Sequence, residues 1–174
     1  MKRAIPDSGA NGAAVEIFTA VAAASASRTV TLSSSAGGDI VALKVLAITG
    51  VDLDAPIGSV GEGSSSTANL TVTAYTSTAI GSRAVGIASD EESDSSPTSS
   101  DTGFPWAVSF VYSGIAVHKA SNTSSAGTSV TLNFNGTGDS RAWNWAALEV
   151  LPRPETPRAV TLRPTSAVHR AASW

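Results

Sequence analysis

Cysteine is absent from the 174 residues. That excludes a disulfide framework, thiolate zinc sites and a cysteine nucleophile together. Histidine is nearly as scarce. His118 and His169 are the only two, which leaves little material for imidazole catalysis or a His-based metal centre. Charged side chains make up 14% of the chain, against about 25% in ordinary globular proteins. Aromatic residues make up 6%, so few large side chains are on hand to fill a core. Long apolar runs are missing too. The stretch 13–26 is apolar-rich, but Glu16 interrupts it and it falls short of the ~20 residues of a membrane span. Behind Lys2 and Arg3, the residues Pro6, Asp7, Gly9, Asn11 and Gly12 break the continuous apolar segment that an export signal needs. The expectation is neither an export signal nor a membrane anchor.

What is present is small. Serine (27), threonine (18) and alanine (29) dominate, and hydrophobic residues reach 42%, too apolar for a disordered chain. The length suits one domain that buries roughly 70% of its extended surface. Charge is unevenly placed. Residues 1–3 carry two positive charges and 152–174 carry a net +3, so residues 4–151 hold −8 of the total −3. An acidic body with basic ends suits ends that dock onto something acidic.

Along the chain, short strand-like runs alternate with Gly/Ser/Asn/Asp clusters, the pattern of a β-sandwich or barrel. Residues 1–12 read as an irregular leader, and 14–22 as a strand or a short helix. The run 28–32 (RTVTL) alternates, so it is expected to be a strand with one buried face. The run 39–49 (DIVALKVLAIT) is apolar on both parities, which predicts a central strand covered on both sides. Glycine-rich 58–63 (GSVGEG) reads as a flexible loop, since it lacks the P-loop spacing and lysine. Strands are expected at 69–76, 79–89, 106–112, 114–120, 128–134 and 142–151, with a turn around Ser113-Gly114 and another at Asn135-Gly136. Residues 89–103 hold five acids and no apolar residue but Pro97, which predicts a long exposed loop. Four prolines between 152 and 164 make the end an extended arm. The echo of RTVTL in 158–162 (RAVTL) fits an arm that adds a strand to a sheet edge.

Motifs that carry chemistry are few. Three sequons, at Asn69, Asn122 and Asn135, are expected by chance in so Ser/Thr-rich a chain. Asp52 and Asp54, or the acids of 90–94, are candidate Ca2+ ligands, without the ordered register of a calcium loop. Asp52 and Glu149 are the pair that a glycosidase reading would use. Trp143 and Trp145, two apart, share one face of a strand. They are candidates for glycan stacking, as in a carbohydrate-binding module, or for covering the core; Trp106 is a third indole for such a groove. Nucleic-acid binding is not expected of an acidic body without a basic stripe.

Several segments together resemble a known group. They are Gly38-Asp39-Ile40-Val41 opening an apolar run, the turn Ile48-Thr49-Gly50-Val51-Asp52, Ser/Thr-rich alternating strands, Ala126-Gly-Thr-Ser-Val-Thr-Leu132, and the closing Trp145-Ala-Ala-Leu-Glu-Val150. This run, 38–152, resembles the β-sandwich virion proteins of tailed bacteriophages: minor capsid, head-decoration and minor tail proteins. The resemblance implies a structural protein without catalytic residues or cofactor. It implies a chain made in the host cytoplasm and displayed on the virion, on the capsid exterior rather than the tail. Its partners would be the major capsid protein or other virion proteins, and a homo-oligomer such as a trimer. The expected fold is an all-β, antiparallel, jelly-roll-like sandwich of about eight or nine strands over 13–151, with an extended arm over 152–174. Arg153, Arg158, Arg163, Arg170 and Trp174 are the candidate anchors, because arginine pairs bidentately with carboxylates and a terminal indole fills a pocket.

Overall fold

The computed structural model describes residues 2–5, 14–22, 24, 26–33, 41–67, 69–90, 97–108, 112–135 and 143–155. Among them there are nine strands and no helix. In order they are β1 (Lys2–Ile5), β2 (Val15–Phe18), β3 (Ile57–Ser65), β4 (Asn69–Thr76), β5 (Arg83–Asp90), β6 (Thr102–Val108), β7 (Tyr112–His118), β8 (Ser129–Asn135) and β9 (Trp143–Val150). All pairings are antiparallel. Five strands form one sheet in the order β3-β9-β5-β7-β6, and β4-β8 form a second sheet. The fold is an antiparallel β-sandwich. The hairpin β1-β2 makes a third small sheet packed against β9 and β5.

The core lies between the two larger sheets. From β4 and β8 it takes Val72, Ala74, Tyr75, Val130, Leu132 and Phe134; from the other side it takes Ala84, Ala88, Ile115, Val117, Trp143, Trp145 and Ala147. β9 is the most enclosed strand, an inner strand between the edge strand β3 and β5. Every one of its eight residues is buried, with β3 and β5 as its hydrogen-bonded neighbours. Its mixture of alanine with two tryptophans fits this place: small residues let the layers close, and two indoles supply the bulk that the rest of the composition lacks.

That position had been expected for 39–49, and the expectation is corrected. Residues 41–49 form no strand, and Val41, Leu43, Val45 and Leu46 are exposed; residues 39 and 40 lie outside the described residues. The physical reason is occupancy, since β9 already fills the slot between β3 and β5. Likewise 28–32 forms no strand, with Val30 54% and Leu32 41% exposed. The leader is not wholly irregular, because Lys2–Ile5 pairs with Val15–Phe18. The turn expected at Ser113-Gly114 lies earlier. Val108 pairs with Tyr112, and Ser113 and Gly114 are inside β7 opposite Ala107 and Trp106.

The glycine-rich stretch read as a loop is strand β3, and its glycines are there for close approach. A Cβ at Gly61 would collide with the Ala74 carbonyl oxygen, one at Gly63 would press on the Trp145 ring, and one at Gly58 would meet the Glu149 carboxylate. Strand β4 and the Trp145 indole therefore lie directly on β3 backbone. Gly61→Ala is expected to destabilise by about 3 kcal/mol, because the obstacle is backbone and cannot rotate away. Urea titration checks this; an unchanged midpoint would show that β4 stands off from β3.

The acidic loop is shorter than 89–103 suggests. Ser89 and Asp90 belong to β5, and Thr102 and Gly103 to β6. Pro97 is buried. Residues 98–101 close the outer edge of β8: Thr98 and Asn135 exchange both backbone hydrogen bonds (2.8 and 2.9 Å), the Ser99 hydroxyl donates to the Asn133 carbonyl (2.6 Å), and the Asn133 N–H donates to the Asp101 carboxylate (2.9 Å). Residues 91–96 lie outside the described residues.

Candidate functional site

Two carboxylates are withdrawn from solvent, one in the core and one at the outer edge of β8, and both have structural partners. Glu149 of β9 is fully buried. Its carboxylate accepts the Thr78 N–H (2.8 Å to Oε1), the Thr78 hydroxyl (2.7 Å), the Ser59 N–H (2.9 Å) and the Ala79 N–H (3.3 Å). Burial alone pushes its pKa up. The Ser82 hydroxyl, the Ser59 N–H and the hydroxyl and N–H of Thr78 outweigh that and hold it below its ordinary 4.5. The carboxylate thus ties β9 to β3 and to the turn that follows β4. Tyr75 is buried nearby, and its hydroxyl pKa is raised first by burial and then by the Glu149 charge. Neither the Tyr75 hydroxyl nor the Trp143 indole N–H meets a partner among the described residues.

Asp101 is the second. It pairs with Lys119 (2.7 Å) while its other oxygen holds the β8 edge. Arg83, at the start of β5, donates from Nε and Nη2 to the Asn122 side-chain oxygen (3.0 and 2.9 Å). Two open cavities flank Arg83. One of about 230 Å3 is lined by Leu46, Ile48, Thr49 and His118; the other, about 260 Å3, is lined by Gly50, Val51, Asn122, Leu151 and Pro152. His118 is partly fixed, with Nδ1 3.0 Å from the Lys119 carbonyl and its ring tilted against Phe104 at 5.8 Å.

The candidate residues fall in different places. Trp143 and Trp145 are buried, 0% and 8% exposed. The expectation that they stack on a glycan is corrected: as the largest side chains of a small-residue core, they fill it, and no sugar ring reaches them. Trp106 is in β6; its side chain lies outside the described residues. Arg153 is exposed, but its backbone belongs to the body, because its N–H donates to the Gly50 carbonyl (2.9 Å) and Val51 bridges Pro152. The body therefore runs through Arg153, two residues past the expected boundary. Arg158, Arg163, Arg170 and Trp174 lie outside the described residues. Asp52 and Glu149 do not act as a pair. The Asp52 carboxylate accepts the N–H groups of Asp54 (2.9 Å) and Ala55 (3.1 Å) in a local turn, whereas Glu149 is enclosed. Among the described residues no three His, Asp or Glu side chains converge on an ion site, and no helix is long and apolar enough to cross a membrane.

Sequence reasoning missed what Glu149 does. The available signal was a lone acid inside an otherwise apolar closing run, which on a buried strand requires hydrogen-bond donors. No signal foretold the Asp101–Lys119 contact, which depends on how 98–101 folds onto β8. No family model matches the chain, and no curated protein or solved structure matches it.

Proposed function

We propose that this protein is a structural component of a tailed-phage virion, a sandwich carried on the capsid exterior and attached through its basic C-terminal arm. The observation that carries the reading is how the charged groups are distributed. The two withdrawn carboxylates, Glu149 and Asp101, hold strands together. In sequence, residues 4–151 carry −8 and residues 156–174 carry +3. A scaffold with that polarity suits end-on attachment to an acidic lattice. The resemblance of 38–152 to virion sandwich proteins supports the same role, with the major capsid protein as partner. Arg158, Arg163, Arg170 and Trp174 are the proposed anchors, with Arg153 at the root of the arm.

The test is deletion of 156–174, cut after the last hydrogen-bonded turn of the body. The truncated chain is expected to keep its β-sheet circular dichroism and to disappear from purified particles in which an antibody detects the full chain. Full chain absent from particles, or truncated chain retained on them at the same level, would overturn the reading.

A further inference from the structure

An exposed stretch upstream of the sandwich is the mirror image of the open half of a sheet edge. Read backwards, residues 33 to 29 are Ser-Leu-Thr-Val-Thr; residues 69 to 73, which begin β4, are Asn-Leu-Thr-Val-Thr. Set antiparallel, four consecutive positions are identical: Leu32 opposite Leu70, Thr31 opposite Thr71, Val30 opposite Val72 and Thr29 opposite Thr73. Like-with-like β-branched and threonine pairs are favourable across antiparallel strands. The alternation fixes the register, since a one-residue slip would set each apolar side chain opposite a threonine.

The acceptor edge is open. In β8, Asn133 and Asn135 turn their backbone groups away from β4, toward 98–101. Their partners Thr71 and Asn69 therefore point N–H and C=O groups away from β8, on the side that no strand pairs. Farther along, the Ser59 hydroxyl already donates to the Thr76 carbonyl (2.7 Å), so the open part is 69–73. The other edges of the two larger sheets carry features that discourage pairing. β6 carries Pro105, β8 is closed by 98–101, and β3 has a register shift between Ile57 and Val60 and an exposed Glu62. Residues 69–73 carry no charge and no proline, the devices that ordinarily blunt an edge.

The donor is free to pair. Residues 26–33 form no strand, Val30 and Leu32 are largely exposed, and the chain does not place them on its own β4. We propose that the 69–73 edge of β4 receives residues 29–33 of a second copy as an added strand, so that reciprocal exchange closes a homo-oligomer. In the added ladder Val30 and Leu32 continue the apolar inner face beside Val72 and Leu70, and the half-buried Leu70 gains a cover. Thr29 and Thr31 join the exposed row of Thr71 and Thr73. Where two copies exchange strands reciprocally, each gives one and receives one, and the two-fold axis closes the assembly. This inference holds whether or not the chain is a virion component.

Light scattering on the full chain, followed across dilution, reads the outcome. The native chain is expected at two or more times the single-chain mass. Val30→Asp with Leu32→Asp, both at exposed positions, is expected to reduce it to the single-chain mass with unchanged circular dichroism. A native chain at single-chain mass, or a double variant that keeps its oligomer, overturns the proposal. Val160→Asp, in the arm segment that echoes 28–32, is expected to leave the mass unchanged; dissociation there would make the arm the donor and overturn it. The cysteine-free background allows a register test. Chains with Thr31→Cys mixed with chains carrying Thr71→Cys, oxidised by glutathione disulfide, are expected to link into heterodimers, because facing Cα atoms in such a pair lie within disulfide reach. Failure to link while the oligomer persists would place the contact elsewhere and overturn the assignment.

Discussion

Glu149→Ala should be among the most damaging single substitutions in this protein, lowering stability by about 3–5 kcal/mol. The carboxylate is completely enclosed and accepts three backbone N–H groups and the hydroxyls of Thr78 and Ser82. Truncation takes the acceptor from four part-buried bonds and empties a fully enclosed site, and each donor left unsatisfied costs up to about 1–3 kcal/mol. The same bonds give the fold a defined acid response. Glu149 has a lower pKa in the folded chain than its ordinary 4.5. Its stabilisation is therefore complete above that ordinary value and is lost as pH falls through the depressed native one. Urea midpoints measured down the acid limb should fall more steeply for the native chain than for Glu149→Gln, which has no proton to take up there. Equal slopes would show that other carboxylates control acid unfolding. A rise in stability on acidification would mean that the desolvation cost of the charge outweighs its hydrogen bonds.

Trp143→Ala is the second large effect, again about 3–5 kcal/mol, from the lost transfer free energy of an indole and the cavity it leaves. The residue is fully buried against the β4-β8 layer, in a core whose other members on the same sheet are mostly alanine, valine and isoleucine. The thermal midpoint should fall by about 10 °C or more. Trp143→Phe should cost much less, since it keeps most of the ring volume and removes an indole N–H that finds no partner among the described residues. If the alanine variant unfolded at the native temperature, Trp143 would have to stand outside the core, and the glycan-stacking role would need to be reopened.

The elements that were legible in the sequence are those with clean alternation and a matching partner. Residues 69–76 were expected as a strand and form β4 over Asn69–Thr76; 128–134 nearly coincides with β8, and 142–151 brackets β9. These strands pair with one another or lie inside a sheet, so local pattern and tertiary demand agree. Where they disagree, the pattern misleads. The run 39–49 has the composition of a buried strand, yet β9 occupies that place and 41–49 stays outside. RTVTL has the alternation of a half-buried strand and finds no ladder within its own chain. The glycines of 58–63 suggested a loop because propensity counts glycine against a strand. It cannot register that another backbone and an indole press on that strand from above. The site was less legible still. Trp143 and Trp145 were seen as a pair on one face, but spacing says nothing about whether that face meets water. Glu149 looked like one of several acids, because its partners lie 71 and 90 residues away.

The position of β9 between β3 and β5 also sets the order of events during synthesis. Its neighbours β3 and β5 and the N-terminal hairpin that rests on it all emerge earlier and wait for it. Contacts of such sequence separation form slowly, and β3 cannot join the five-stranded sheet until β9 has emerged to lie between it and β5. Before that, β1-β2, β4-β8, β5-β7 and β6-β7 can already pair, but Trp143 and Trp145 are not yet there to fill the core between the sheets. The core between the sheets therefore fills only when β9 arrives, after the rest of the scaffold has begun to pair.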